Sequence, residues 1–234
     1  MIRWSLIDTA PMPDGGGELR LMQRGSEFSI MSGGVELMNS RSNGSEKALA
    51  TLGCAGLQGR PAPHVLIGGF GMGFALRAAL DCLGPKARVT VAELVPAVIA
   101  WARGPMAHLN GDCLDDPRTI LREGDVAALI GEAQSDYDAI LLDVDNGPEG
   151  LSRRENDRLY NAQGLMAARQ ALKPGGVLAV WSSAVNPAFT QRLRRAGYAV
   201  REESVRSSGG RKGAHHMVWL ATAPAAIAAR PRRE

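Results

Sequence analysis

The 234-residue sequence predicts an α/β fold built around a doubly wound, mostly parallel sheet. The first observation behind this prediction is that short apolar runs, typical of buried strands, alternate with helical patterns from residue 64 onward. The second is a glycine-rich turn, Gly69 to Gly73, directly after the first apolar run. The third is Glu93, which ends the next apolar run about twenty residues further on. This combination is typical of the nucleotide-binding half of a Rossmann-type sheet.

The first sixty residues predict a small β-rich appendage. Two runs with alternating apolar side chains, 18–24 and 27–31, are bounded by glycine-rich stretches and predict a β-hairpin. A linking helix is predicted from Ser45, a suitable N-cap residue, to Leu57. We therefore expect an appendage, a main domain and a basic, disordered tail, at residues 1–60, 61–222 and 223–234.

The main domain alternates strands and helices along its whole length. We predict strands at 64–68, 88–92, 119–122, 137–143 and 177–182, and helices at 72–83, from Pro96, at 126–132, 158–172 and 187–196. Two further strands, 198–205 and 215–221, flank a glycine-rich loop and predict a terminal hairpin. A final antiparallel strand is what sheets of the class I methyltransferase type add to the Rossmann plan. The predicted fold class is therefore a Rossmann-like sheet of that type.

The glycine turn and the acid after it indicate a bound nucleoside. Gly69, Gly71 and Gly73 allow a tight turn and let the backbone approach a ligand without an intervening Cβ. The Glu93 carboxylate is placed to accept hydrogen bonds from both ribose hydroxyls. A dinucleotide fingerprint would need glycine at Phe74, whereas Gly-x-Gly-x-Gly is typical of S-adenosylmethionine enzymes. A turn without a ligand is the alternative, and it leaves Glu93 unexplained.

Four acidic residues fall at or just beyond the ends of predicted strands, namely Glu93, Asp125, Asp143 and Asp145. Ligands of doubly wound sheets bind across the carboxyl ends of the strands, where the strand order reverses. Asp125, after Gly124, is placed to accept a hydrogen bond from an adenine amino group. Asp143 ends an apolar strand, where burial is costly unless the carboxylate meets a partner.

Asp145 is the predicted general base. It would remove a proton from an amine or hydroxyl that attacks a sulfonium carbon. The run Asp145-Asn-Gly-Pro148 is also favourable for a turn, so a purely structural role stays open. The Asn-Pro-Pro-aromatic motif of nucleic-acid amino-methyltransferases is absent from the sequence, which argues against base modification in DNA or RNA.

Composition limits the class of protein. Apolar residues make up 45% of the chain, enough for a packed core. No apolar run reaches the length of a membrane span, and the N-terminus lacks a signal-peptide core, so we expect a soluble, cytoplasmic protein without a membrane partner. The net charge is only +3, and we interpret the basic segments 206–212 and 230–234 as solvated charge, not as a nucleic-acid site.

The cysteines and histidines predict no metal site. Cys54, Cys82 and Cys113 are far apart and odd in number, which is typical of reduced core thiols. His215 and His216 are adjacent and would point to opposite faces of a strand.

A series of short motifs runs from about residue 18 to residue 182. These are Gly34-Val35, Arg41, Glu46, Ile67-Gly-Gly69, Glu93-Leu94, Asp116-Pro-Arg118, Gly124-Asp125, Asp143, Glu149-Gly-Leu151 and Leu172-Lys-Pro-Gly-Gly-Val177. Together they resemble the spermidine synthase (polyamine aminopropyltransferase) family of the class I S-adenosylmethionine-dependent superfamily. The resemblance implies that Glu93 binds the ribose, that Asp125 binds the adenine, and that Asp143 borders the reaction centre, as both a cofactor-binding and a catalytic residue. Leu94 and Gly124 are also predicted to contact the cofactor. It also implies a homodimer formed with the help of the β-appendage.

The sequence departs from this family where an ammonium group would be bound. Gly71 stands where the family has an aspartate facing the aminopropyl ammonium, and Leu37 stands for a glutamine. Further replacements are Ser42-Asn43 for Asp-Glu and Ser45-Glu46 for Tyr-His-Glu. The family's Asp-Ser-Ser-Asp-Pro becomes Asp143-Val-Asp-Asn-Gly147, so its base maps to Asp145 or Asn146.

These departures lead us to expect a methyltransferase that uses S-adenosylmethionine on a small-molecule acceptor. A dication needs several anions or aromatic walls, and most of the matching residues are gone. The first alternative is a polyamine aminopropyltransferase that uses decarboxylated S-adenosylmethionine. The second is a nucleoside-binding protein without catalysis.

Overall fold

The computed structural model describes residues 2–15, 17–144, 148, 157–208 and 213–225. The strands are Ser5–Pro11 (β1), Glu18–Arg24 (β2), Glu27–Ser32 (β3), Val35–Asn39 (β4), His64–Gly68 (β5), Arg88–Glu93 (β6), Thr119–Glu123 (β7), Tyr137–Leu142 (β8), Leu172–Ser182 (β9), Ala199–Arg206 (β10) and His215–Thr222 (β11). The α-helices are Gly44–Cys54 (α1), Phe74–Cys82 (α2), Pro96–Arg103 (α3), Ala107–Asn110 (α4), Val126–Glu132 (α5), Asp157–Tyr160 (α6), Ala162–Ala171 (α7) and Pro187–Arg195 (α8).

The main sheet has the strand order β7-β6-β5-β8-β9-β11-β10. Strands β5 to β9 are parallel, and β11 lies antiparallel between β9 and β10. All six residues of β8 are buried, as expected for a central strand covered on both faces. The predicted fold class is confirmed, including the terminal antiparallel hairpin. The strand order reverses between β5 and β8, and ligands of such sheets bind at this point.

The N-terminal part is a four-stranded antiparallel sheet in the order β1-β2-β3-β4. The predicted hairpin corresponds to β2 and β3, whereas β1 and β4 were not predicted. Six of the seven β1 residues are exposed, so β1 has no alternating apolar face for sequence reasoning to detect. Its order comes from backbone pairing with β2, from Ser5 opposite Gln23 to Pro11 opposite Glu18.

Two apolar clusters cover the two faces of the main sheet. Alternate residues of the central strands enter different clusters, with Ile67 and Leu141 in one and Leu66 and Ile140 in the other. The first cluster also contains core residues of the N-terminal sheet, such as Phe28. The apolar core therefore runs across residue 60, and the predicted domain boundaries stay a prediction.

Helix α1 brings two polar side chains to the carboxyl edge of the main sheet. It begins at Gly44, whose N–H donates to the Ser207 carbonyl oxygen at 2.7 Å. The predicted N-cap, Ser45, is wrong: the N-cap residue is Asn43, and Ser45 lies in the first turn. The Ser45 side chain bonds to Glu46 and His216 and does not cap the helix.

Helix α4 was not predicted, β9 begins at Leu172 and not at residue 177, and further differences lie in the C-terminal third. The single helix predicted at 158–172 is two helices, α6 and α7, because Asn161 caps α7 by accepting the Gly164 N–H at 2.9 Å. In the predicted tail, the Ala223 N–H donates to the Gly176 oxygen, and residues 226–234 lie outside the described residues. None of the helices in the described part of the chain has the length and apolar character that a membrane crossing requires.

Candidate active site

A cavity of about 390 Å³ lies at the carboxyl edge of the main sheet, at the point where the strand order reverses. Residues at or just beyond the ends of β5 to β9 form one wall, and the N-terminal sheet contributes an apolar wall opposite. The apolar residues of that second wall are Met12, Leu19, Ile30, Leu37 and Met38. The acidic lining residues are Glu36, Glu46, Glu93, Asp125 and Asp143. The described lining residues include no lysine and no arginine.

The glycine turn after β5 has the backbone conformation that the sequence predicts. Gly69, Gly71 and Gly73 have φ values of +88°, +56° and +83°, which side-chain-bearing residues rarely adopt. A Cβ at Gly69 would lie 2.4 Å from the Asp143 carbonyl oxygen, so the turn packs directly on the backbone after β8. A Cβ at Gly71 would lie 2.6 Å from the Sδ and Cε atoms of Met38. Met38 therefore occupies the space that a side chain at position 71 would need.

Glu93 ends β6 with its carboxylate held by the glycine turn. Its Oε2 atom accepts the Phe70 N–H at 2.9 Å and the Gly71 N–H at 3.5 Å, and its Oε1 atom accepts the Val95 N–H at 2.9 Å. Burial raises the pKa of Glu93, and these backbone hydrogen bonds oppose the rise. Oε1 accepts one of these bonds and keeps a lone pair, whereas Oε2 accepts two, one of them the long contact from Gly71. A ribose diol would therefore use Oε1 and replace the Gly71 contact on Oε2.

Asp125 lines the cavity beside Gly124, but its carboxylate already has partners. Oδ1 accepts the Ala127 N–H at 2.8 Å and caps α5, while Oδ2 pairs with the exposed Arg158. The Gly124 N–H donates to the Glu93 carbonyl oxygen at 2.8 Å, which ties the two loops together. The adenine contact of Asp125 stays a prediction, and an adenine amino group would share the carboxylate with Arg158.

Asp143 and Glu46 bring two carboxyl groups into the same cavity from different elements. Asp143 directly follows β8, and its N–H donates to the Gly68 carbonyl oxygen at 3.0 Å. Burial raises the pKa of Asp143 well above its usual range, and the charge of Glu46 raises it further. Burial also raises the pKa of Glu46. A bound cation would offset the cost of ionising both acids together.

His216 is a cavity residue that the sequence reasoning did not assign. Its Nδ1 atom lies 2.9 Å from the Ser45 Oγ atom, and the Ser45 hydroxyl donates to Glu46 Oε2 at 2.7 Å. The ring packs edge-on against Trp181 with 4.8 Å between centroids. His215 contacts Ser204 instead, so the predicted opposite orientation of the two histidines is confirmed. Because side chains alternate along a strand, His216 lies on the same face as the core residue Val218. This alternation could have identified His216 as an inward-facing residue from the sequence alone.

The structure brings most of the predicted site residues together. Those that line the cavity are Gly69, Gly71, Glu93, Leu94, Gly124, Asp125 and Asp143. Gly73 does not line it and instead precedes α2 as the N-cap residue. Asp145 and Asn146 lie outside the described residues, so the assignment of Asp145 as base stays a prediction.

The fold and the cavity define a Rossmann-like protein of the class I methyltransferase type with acids gathered at its switch point. The family model described as "Spermine/spermidine synthase domain" matches residues 51–194, which is more than half of the sequence. The chain belongs to this family, and the predicted family resemblance is confirmed.

Curated relatives carry the name polyamine aminopropyltransferase. The chain is 34% identical over 152 residues to polyamine aminopropyltransferase 1 of Streptomyces coelicolor, which covers 61% of this chain and 27% of the relative. It is 33% identical over 134 residues to the polyamine aminopropyltransferase of Korarchaeum cryptofilum, and the match covers 56% of this chain and 40% of the relative. The matched segment thus spans less than half the length of either relative.

Solved structures share the fold. A spermidine synthase crystallised with the transition-state analogue AdoDATO superposes with a TM-score of 0.70 at 17% identity, over 93% of this chain and 72% of that one. The spermidine synthase of Thermotoga maritima gives a TM-score of 0.70 at 16% identity over the same shares. At these identities the likeness establishes the fold alone.

The expectation of a methyltransferase is wrong. The family model and the curated relatives are those of aminopropyltransferases, the alternative that the sequence left open. The expectation rested on single positions where ammonium-binding residues are missing, such as Gly71 and Leu37. It did not account for Glu36, or for the fact that Glu46, which the resemblance already named, adds its carboxylate to the same cavity.

Proposed function

We propose that this protein transfers an aminopropyl group from decarboxylated S-adenosylmethionine to an amine, with a polyamine as the acceptor class. The observation that carries the proposal is the charge of the cavity, whose described lining contains five acidic residues and neither lysine nor arginine. Decarboxylated S-adenosylmethionine carries a sulfonium and an ammonium group but no carboxylate. Intact S-adenosylmethionine adds a carboxylate, which these acids would repel.

The nucleoside half of the donor fits the glycine turn and the strand ends. Glu93 would accept the two ribose hydroxyls, because its carboxylate is oriented by backbone N–H groups, Oε1 keeps a lone pair, and the contact from Gly71 to Oε2 is long at 3.5 Å. The turn at Gly69 and Gly71 leaves no Cβ between the backbone and the ligand. Leu94 and Asp125 would border the adenine.

The acceptor amine would bind between the carboxyl pair, Asp143 and Glu46, and the apolar wall of the N-terminal sheet. The amine nitrogen would attack the methylene carbon next to the sulfonium; a C–N bond forms, the C–S bond breaks, and its electron pair stays on sulfur in methylthioadenosine. An acceptor bound as an ammonium ion releases one proton in this sequence. Asp143 would take that proton, because burial and the charge of Glu46 raise the pKa of its carboxyl group and so make it a stronger base. With Met38 in the space beside Gly71, the donor ammonium would meet Glu36 or Glu46 instead.

The proposal is tested by calorimetry with decarboxylated S-adenosylmethionine, S-adenosylmethionine and methylthioadenosine in parallel, followed by mass spectrometry of products with putrescine or spermidine. We expect tighter binding of the decarboxylated donor than of the intact one, and an aminopropylated product. Asp143→Asn should retain methylthioadenosine binding and lose product. Preference for intact S-adenosylmethionine, with methylated product only, would refute the proposal.

A further inference from the structure

A chain of hydrogen bonds joins the carboxyl pair to the C-terminal hairpin. It runs from Glu46 Oε2 to the Ser45 hydroxyl at 2.7 Å and from there to His216 Nδ1 at 2.9 Å. Ser45 and His216 are 171 residues apart in sequence, so only the fold brings them together. Glu46 and His216 line the cavity, whereas Ser45 is fully buried behind it.

The Ser45 hydroxyl has one hydrogen, so the chain has two arrangements. In the first, His216 Nδ1–H donates to Ser45, which donates to an ionised Glu46. In the second, a protonated Glu46 donates to Ser45, which donates to an unprotonated Nδ1. Going from the second arrangement to the first moves one proton from Glu46 to the imidazole. Only O–H and N–H bonds form and break.

Aminopropyl transfer produces a proton that this chain is placed to carry. Asp143 and Glu46 act on each other electrostatically, and the N-terminal sheet covers the cavity in which they lie. A second catalytic cycle requires Asp143 to give up its proton. We propose, resting on the aminopropyl-transfer function above, that Glu46, Ser45 and His216 form a proton relay that carries this proton from Asp143 to the His216 imidazole and on to solvent.

The surroundings of the His216 ring support a relay more than a fixed charge. Ser45 on α1 and Trp181 on β9 contact it, and the opposite residue on β10 is the apolar Val205. The acids that share its cavity are Glu36, Glu46, Glu93, Asp125 and Asp143. Burial lowers the pKa of His216, so the imidazole is neutral near pH 7 and can accept a proton and release it quickly.

The kinetic test uses variants that separate proton transfer from hydrogen bonding. His216→Gln keeps a polar group near Ser45 but cannot carry a proton, and Ser45→Ala breaks the chain. Both should lower kcat roughly 10-fold to 100-fold, less than loss of the base itself, with KM unchanged and a larger solvent deuterium isotope effect. Ser45→Thr, which keeps the hydroxyl, should retain most of kcat. His215→Gln is the matched control, since His215 is exposed on the other face of the same strand.

Two results for His216→Gln would each overturn the relay. One is an unchanged kcat and isotope effect in His216→Gln. The other is a raised KM with unchanged kcat, which would mean that His216 only shapes the cavity. Added imidazole should restore part of kcat to His216→Gly, and failure of this rescue alongside an unchanged isotope effect also argues against the relay.

A second measurement does not depend on activity. Nitrogen NMR of labelled histidine follows the titration of His216 in the wild type and in Glu46→Gln. We expect the His216 midpoint to move to lower pH in the variant, because the neighbouring anion is lost, while the His215 midpoint stays. An unmoved His216 would overturn the relay even in an active aminopropyltransferase. A moved His216 in a protein that forms no aminopropylated product would overturn the proposed function and leave the coupled chain supported.

Discussion

At the scale of single residues, the glycines of the turn after β5 share a left-handed backbone but differ in what surrounds them. A Cβ at Gly69 would meet the backbone oxygen of Asp143 at 2.4 Å, which cannot move without displacing the strand end. A Cβ at Gly71 would meet the end of the flexible Met38 side chain. The same substitution should therefore have different costs at the two positions.

We expect Gly69→Ala to destabilise the protein by about 3 kcal/mol or more, and Gly71→Ala by only about 1–2 kcal/mol. Both variants introduce a left-handed alanine, but only the first also drives a Cβ into backbone. Urea denaturation of the two variants measures the difference. Equal losses would mean that the contact with Asp143 contributes nothing.

Position 71 also tests how the donor ammonium is bound. Gly71→Asp introduces the aspartate that the sequence analysis assigns to the family at this position, but the Met38 side chain occupies the space that the aspartate would need. We expect the single variant to leave the KM for decarboxylated S-adenosylmethionine unchanged or raised, and the double variant Gly71→Asp with Met38→Ala to lower it. Steady-state kinetics on both, with Met38→Ala alone as control, provide the comparison. A lower KM in the single variant would show that Met38 moves aside freely.

Glu93 is the residue whose loss should most specifically weaken nucleoside binding. We expect Glu93→Ala to weaken methylthioadenosine binding by roughly 1.5–3 kcal/mol, the value of charge-assisted hydrogen bonds. Glu123 pairs with Glu93 in the register of the neighbouring strand but is exposed, so Glu123→Ala is a matched control that should bind normally. Calorimetry decides, and unchanged affinity in Glu93→Ala would refute the ribose assignment.

At the scale of secondary-structure elements, the position of α1 determines where Glu46 and Ser45 lie. The helix packs so closely on the main sheet that a Cβ at Gly53 would lie 2.4 Å from Leu141 Cδ2 and 3.2 Å from the Ala179 Cβ. Leu141 and Ala179 are fully buried on β8 and β9. Gly53 is the penultimate residue of α1, where alanine would be the better helix former, so the glycine is explained by the close packing.

Gly53→Ala should therefore destabilise the protein by roughly 1–3 kcal/mol, although alanine is the better helix former. Leu141→Ala costs stability by itself, yet the double variant should lose less than the sum of the two single losses. Gly56→Ala is the control, because nothing lies within 4 Å of its added Cβ. Thermal and urea unfolding check both. A stabilising Gly53→Ala would show that α1 can shift away from the sheet at little cost.

At the scale of the whole molecule, the buried acids of the cavity make stability depend on pH in the opposite sense to a salt-bridged carboxylate. Burial raises the pKa of Glu46, Glu93 and Asp143 in the folded state. A carboxyl group with a raised folded-state pKa stabilises the protein fully below the unfolded pKa of about 4. That contribution is lost as the pH rises through the folded-state pKa.

We therefore expect Asp143→Asn to gain stability relative to the wild type as the pH rises from about 4 to about 8, with no such gain at the acid end. Urea unfolding across this range measures the difference. Asp115→Asn, which changes a carboxylate that is 74% exposed, should run parallel to the wild type. If the wild type instead became more stable than Asp143→Asn as the pH rises, Asp143 would be stabilised as an anion in the absence of ligand.

Local patterns in the sequence were sufficient for the main sheet and for the acids at its edge. Alternation of buried strands and helices predicted β5 to β11 within one residue at each end, except that β9 begins at Leu172 and not at residue 177, because side-chain periodicity depends on local geometry. The turn from Gly69 to Gly73 and the strand-end positions of Glu93 and Asp143 followed from the same reasoning, since the carboxyl ends of parallel strands meet at one edge. The sequence by itself therefore determined the fold class, the family resemblance and much of the cavity.

Only the tertiary structure decided which distant residues share that cavity. The contacts of Ser45 with His216 and of Met38 with the turn at Gly71 depend on how the N-terminal sheet and α1 pack on the main sheet. No local sequence pattern indicates such packing, because it depends on contacts between residues that are far apart in the chain. The position-by-position comparison with the family therefore detected that ammonium-binding residues are missing, and it favoured a methyltransferase. The charge of the whole cavity, a sum over several elements, favours the aminopropyl donor instead.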